Sequence, residues 1–164
     1  MAKNTTTTTQ SHPLTSREGA SGENVPKTHM RVRYDGKGNL LINHGCWFAL
    51  DLYNRYRKAA RPKRNLKLLK ATRFDASGIG LFSTACWFQA SLFRQYERVA
   101  FFERKPVYIL VKQAMEAFLP AIEKTSSRRN TYDLINEAME AYLPQLKKSH
   151  AQKLLEESQE ELGI

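Results

Sequence analysis

The sequence predicts an α+β fold, mostly helical, built from two strand–helix repeats followed by two further helices. Two duplications and one change of period carry this prediction. Residues 30–58 align without a gap onto 70–98, with nine identities where ordinary composition gives roughly two. The identities are Arg33/Arg73, Asp35/Asp75, Gly38/Gly78, Leu41/Leu81, Cys46/Cys86, Trp47/Trp87, Phe48/Phe88, Leu52/Leu92 and Tyr56/Tyr96. A second duplication sets 105–124 over 129–148, again with nine identities. Within each unit of the first repeat the pattern moves from alternation to helical spacing, as a strand followed by a helix does.

Along the chain, residues 1–28 are rich in Thr, Ser, Gly and Pro without periodicity, and are expected to be a disordered tail that cannot offset its own ordering entropy. A domain over 29–149 follows. Its first unit opens with Arg31-Val32-Arg33-Tyr34 in alternation, passes an Asp-x-x-Gly turn signal and reaches the apolar pair Leu41-Ile42; the second unit repeats this up to Leu81-Phe82. Each opening reads as a strand or a hairpin. Asn43 and Ser83 stand where helix caps are wanted, so the Cys-Trp-Phe triplets after them are expected to begin the helices. Trp47, Phe48, Trp87 and Phe88 could serve as stacking platforms for single-stranded bases, but at a helix start in both copies they are expected in the core, with Cys46 and Cys86 as small buried apolar groups. The strands should pair about an approximate twofold axis, with the helices on one face, because a lone hairpin is only marginally stable.

Residues 59–65 join the two units. The second duplication has helical periodicity, as at Leu134, Ile135, Ala138, Met139 and Tyr142, and each copy reaches a Leu-Pro step at Pro120 or Pro144. Proline forfeits a helical hydrogen bond, so each helix is expected to end or kink there. Residues 124–130 read as a turn capped by Ser127 or Asn130, and 150–164 as a C-terminal helix or tail.

The formal charge is +10, and its distribution matters more than its size. Residues 1–29 sum to +1, 75–103 to −1 and 104–164 to zero, whereas 30–74 set twelve Lys and Arg against Asp35 and Asp51, which is +10. An excess confined to one stretch points to a polyanion partner. Strand alternation puts Arg31 and Arg33 on one face, and the same register in the second unit places Arg73 beside Ala71. In a paired ribbon, such arginines can read guanine edges in a major groove. Arg61, Lys63, Arg64, Lys67 and Lys70 are candidate phosphate contacts, which set affinity without reading sequence.

The segment from Asn130 to Leu143, Asn-Thr-Tyr-Asp-Leu-Ile-Asn-Glu-Ala-Met-Glu-Ala-Tyr-Leu, resembles the second helix of ribbon-helix-helix DNA-binding proteins, and the copy at 106–119 matches it except for Pro106. The resemblance covers about fourteen residues. It implies paired strands in the major groove of double-stranded DNA and a helix N-terminus, here with Ser127, Arg128, Arg129 and Asn130, holding a phosphate. It also implies a transcriptional regulator of plasmid or conjugative-transfer genes. The order departs from one strand and two helices. In the preferred mapping, 30–149 is a fused pseudo-dimer of two strand–helix units and their two second helices; in the other, Val107–Lys112 is the strand, which would present Tyr108 and Leu110 to DNA.

Catalysis is not expected. His12, His29, His44 and His150 are scattered without metal-ligand spacing, there is no Gly-rich phosphate loop or nucleophile motif, and no cofactor is implied. The first thirty residues lack an apolar stretch of signal type, and the longest apolar runs, such as Val107–Val111, are too short to span a bilayer, so a cytoplasmic protein without a membrane partner is expected. The expected partners are double-stranded DNA, a second copy of the chain as a homodimer, and the transcription machinery. Two rival functions are a protein–protein adaptor, whose DNA binding would be weak and length-independent, and an RNA-binding protein preferring unpaired or A-form substrate.

Overall fold

A computed structural model describes residues 31–124 and 128–163. The tail expected over 1–28 and the cap candidate Ser127 lie outside the described residues. Each unit begins with a hairpin whose turn is built by one aspartate. Asp35 Oδ1 accepts the backbone N–H groups of Lys37 and Asn39 at 2.8 Å, and Asp75 Oδ1 those of Ser77 and Ile79 at 2.9 Å. Gly38 and Gly78 close these turns at φ 82° and 81°, where a side chain would be strained. The hairpins are β1 (Val32–Tyr34) with β2 (Leu40–Ala49), and β3 (Arg73–Phe74) with β4 (Gly80–Gln89).

The second strands are longer than expected and correct the helix starts. β2 runs through Cys46-Trp47-Phe48 and β4 through Cys86-Trp87-Phe88, so α1 (Leu50–Ala60) and α2 (Ala90–Phe102) begin only afterwards, and Asn43 and Ser83 are strand residues rather than caps. The reason is a period of two that continues through the triplet. Ile42, Cys46 and Phe48 are buried against the helices, as are Cys86 and Phe88, while Trp47 and Trp87 fall on the opposite face. The expected burial of the two tryptophans in the core is therefore corrected; the phenylalanines are in it.

All strand pairs are antiparallel and the order is β1-β2-β4-β3. In the central pair Gly45 lies opposite Ala85, its own counterpart in the repeat, so a pseudo-twofold axis passes between these two residues. The helices obey the same axis. The buried hydroxyl of Tyr56 donates to the Met115 carbonyl and that of Tyr96 to the Met139 carbonyl, both at 2.7 Å, which joins equivalent positions of both duplications. The first unit is thus tied to α3 (Val107–Glu123) and the second to α4 (Thr131–Glu161).

Both helices continue through their prolines instead of ending there. Pro120 and Pro144 are exposed, and so are Glu116 and Glu140 four residues back, so the side of each helix on which the proline forfeits a hydrogen bond faces water. The C-terminal segment extends α4 to Glu161. Its start is clamped to the end of α2, where the Glu103 carboxylate meets Lys153 at 3.1 Å, Lys105 at 3.4 Å and His150 at 3.6 Å. Burial raises the Glu103 carboxyl, but the hydrogen bonds and charges of Lys153 and Lys105 outweigh it and hold it below its ordinary value.

Candidate nucleic-acid interface

The helices cover one face of the sheet and leave the other open. On the open face β2 presents Asn43, Gly45 and Trp47, and β4 presents Ser83, Ala85 and Trp87; Gly45, Ser83 and Ala85 are exposed. The short outer strands pair only near opposite ends of the ribbon, β1 with Leu40–Ile42 and β3 with Gly80–Leu81. Between those ends the sheet is two strands wide over roughly 17 Å, from the rise per strand residue.

Arg33 and Arg73 flank this ribbon on its open face, because their cross-strand partners are Leu41 and Leu81. Each reaches across to the tryptophan of the other unit. The Arg33 guanidinium lies 4.3 Å from the Trp87 ring centre, and that of Arg73 lies 5.6 Å from Trp47. Exposed cation–π contacts of this kind contribute about 0.5–1 kcal/mol, enough to bias an arginine toward one orientation. Arg33 is held further by Tyr132 of α4, whose ring it faces at 4.9 Å and whose hydroxyl it hydrogen-bonds. The start of α4 therefore borders the open face. Asn136 fixes it there, accepting from the Gln89 N–H at 2.9 Å and donating to the Trp87 carbonyl at 2.7 Å.

The arginines expected to read bases thus stand on the open face, but on outer strands rather than in the central pair; the ribbon itself is β2 with β4. Arg31 precedes β1, is exposed, and its carbonyl accepts the Asn43 N–H at 3.0 Å. Of the residues expected to contact phosphates, Arg61, Lys63 and Arg64 meet Arg128 around an open recess of about 650 Å³, which Pro62 also lines. Lys67 and Lys70 are exposed on the loop leaving this corner, which runs along α1: Arg57 donates to the Lys67 carbonyl at 3.1 Å and the Leu69 N–H to Asn54 at 3.4 Å. Arg129 is engaged by Glu137, and Asp133 stands in the first turn of α4. Asn130 holds the cap position without a side-chain cap bond and donates instead to the Tyr132 hydroxyl at 3.1 Å. The positive charge therefore gathers at the corner beside Arg128, and not over the first turn of α4.

Sequence reasoning placed Trp47 and Trp87 in the core and missed Tyr132 and Asn136 as parts of this surface. The signal for the two tryptophans was weak, because the apolar runs Cys46-Trp47-Phe48-Ala49 and Ala85-Cys86-Trp87-Phe88 show no period of their own.

The buried thiols offer no competing site. Burial pushes Cys46 up to about 12 and raises Cys86 as well, so neither is a thiolate at neutral pH. Among the described residues no group of three or more His, Cys, Asp or Glu converges as a metal would need, and no helix is long and apolar enough to cross a membrane. The chain matches no family model, no curated protein and no solved structure.

Proposed function

We propose that this chain is a sequence-specific double-stranded DNA-binding protein that presents the β2–β4 ribbon to a major groove. One observation carries the reading: an open, arginine-flanked ribbon with a pseudo-twofold axis between Gly45 and Ala85. A duplex has local twofold axes because its strands are antiparallel, whereas a single strand has a direction and would meet one half of a symmetric site reversed. The two-stranded width of the ribbon also suits a groove about 12 Å across. Arg33 and Arg73 are the base-reading candidates, with Asn43 and Ser83 beside them, and Arg61, Lys63, Arg64 and Arg128 are the phosphate contacts.

The resemblance to ribbon-helix-helix proteins supports the same reading, since the ribbon is followed in each half by two helices. From that resemblance comes the regulatory role, in plasmid or conjugative-transfer gene control inside the cytoplasm. The half-buried Trp47 and Trp87 favour one rival, stacking of unpaired bases.

Fluorescence anisotropy separates the two. Duplexes enriched by the protein from random sequence should bind with a steep salt dependence, and Arg33→Ala/Arg73→Ala should lose most discrimination while staying folded, with a stability loss of about 1–2 kcal/mol from the cation–π contacts removed. Stronger binding to the same sequence as a single strand, or an unchanged double variant, overturns the proposal.

A further inference from the structure

The pseudo-twofold axis relates two corners of the molecule that differ sharply in chemistry. After α1 the chain turns through Arg61-Pro62-Lys63-Arg64, and the Ala60 carbonyl accepts the Arg129 N–H at 3.0 Å. In the second unit the equivalent residues are Phe101-Phe102, the last of α2, with Glu103-Arg104 in the turn after it, and the Ala100 carbonyl accepts the Lys105 N–H at 3.0 Å. The two backbones share this bond and one turn bond, Arg64 N–H to the Arg61 carbonyl and Arg104 N–H to the Phe101 carbonyl, although α2 runs two residues further than α1. In the first corner four cations surround an open recess, and among the described residues no acidic side chain lines it. In the second, Phe101 and Phe102 are 79% and 60% exposed, and Glu103 occupies both Lys105 and Lys153.

The ribbon is biased the same way. Arg31 and Lys37 of the first unit correspond to Ala71 and Ser77 of the second, and Asn43 corresponds to Ser83. The first corner also adjoins the open face directly, because Arg128 and Arg129 lead into the turn of α4 that carries Tyr132, the partner of Arg33. Backbone symmetry thus brings two groove-facing halves into register, while the side chains give only one of them a strong grip on the phosphates beyond it.

We infer that the chain binds a non-palindromic duplex in a single orientation, gripping the DNA backbone outside the ribbon on the Arg61–Arg64 side alone. This rests on the duplex-binding reading. A perfectly symmetric protein surface binds a sequence equally well after a half-turn; here a half-turn exchanges Arg31 for Ala71 and Asn43 for Ser83 over the bases, so the two orientations read different base edges, and the four cations mark the orientation by gripping the phosphates of the one flank they face, where the other corner offers two phenylalanines, a carboxylate and Arg104.

Directed cleavage tests it on the full chain. Because Cys46 and Cys86 are buried, a Lys63→Cys variant can be labelled at that site with a DNA-cleaving iron chelate and bound to an enriched duplex. Cuts on one flank should exceed those on the other by about tenfold, the ratio that a single good base contact supplies. Hydroxyl-radical footprinting of the unlabelled wild type should show protection reaching further on that same flank. Replacing Arg61, Lys63, Arg64 and Arg128 by Ala should trim that flank only and make the log–log salt slope shallower by about 3.6, near 0.9 for each of the four phosphates lost. Phe101→Ala/Phe102→Ala should leave footprint and slope unchanged. Equal cutting on both flanks with a symmetric footprint overturns the inference and leaves duplex binding standing; no binding of the wild type to any duplex overturns both.

Discussion

Adjacent residues in one strand can have opposite fates, and Trp87 and Phe88 show it. Phe88 is fully buried and stacks on Phe93 with ring centres 4.5 Å apart, whereas Trp87 is half-buried on the open face under Arg33. Truncating a buried Phe removes its transfer energy and leaves a cavity, so Phe88→Ala should lower stability by about 3–5 kcal/mol. Trp87→Ala removes a surface contact and a cation–π pair and should cost about 1 kcal/mol. Urea denaturation of the two variants checks this, and a larger loss for Trp87→Ala would contradict the alternation on which the open face depends. That alternation was not legible in the sequence, where Leu40-Leu41-Ile42 and Cys46-Trp47-Phe48-Ala49 are unbroken apolar runs. It was obscured because Cys-Trp-Phe is too short a run for its period to be decided locally, and large aromatic residues are most often found inside.

Helices in this chain tolerate a residue that usually ends them. In a helix interior proline costs about 3 kcal/mol relative to alanine, from the missing N–H and from its ring meeting the previous turn. Pro144 lies on the outer side of α4, where water can serve the Glu140 carbonyl, and buried Leu134, Ile135, Ala138, Met139 and Leu146 anchor the helix on both sides of it. Packing therefore outweighs the local penalty, which the sequence displayed without displaying what opposes it. Pro144→Ala should recover part of the loss, offset by about 1 kcal/mol of added chain entropy in the unfolded state, for a net gain of about 2 kcal/mol. Chemical denaturation measures it. A loss of stability on this substitution would mean that the proline bends α4 into its packing and is needed there. The caps were misread for a related reason: Asn43 and Ser83 have cap chemistry, but in a strand their side chains stand on the open face, and both α1 and α2 start without a side-chain cap bond at Ala49 and Gln89.

The two duplications together prescribe a molecule folded around one axis, and this was the most legible feature of the fold. An offset of forty can be satisfied by antiparallel pairing of equivalent strands at Gly45 and Ala85, and an offset of twenty-four supplies each half with its own further helix. Which strands would form the ribbon was not legible, because the arginines that drew attention lie in the short outer strands and the central ones carry almost no charge. The axis itself makes a distinct demand. A residue on it meets both halves of a bound duplex, whereas a residue away from it meets one. A Cβ added at Gly45 has nothing within 4 Å, and Ala85 is exposed, so Gly45→Glu and Ala85→Glu should each leave stability within about 1 kcal/mol of the wild type. Either one places a carboxylate in the middle of the groove-facing surface, and the two should weaken duplex binding to a similar degree because each stands next to the axis. Ser83→Glu lies further along the ribbon and should mainly reduce discrimination at the bases under its own half. Anisotropy titrations of the three variants against an enriched duplex decide the matter: if Gly45→Glu and Ala85→Glu bind as tightly as the wild type, DNA does not cross the ribbon at its axis, and the open face serves some other partner.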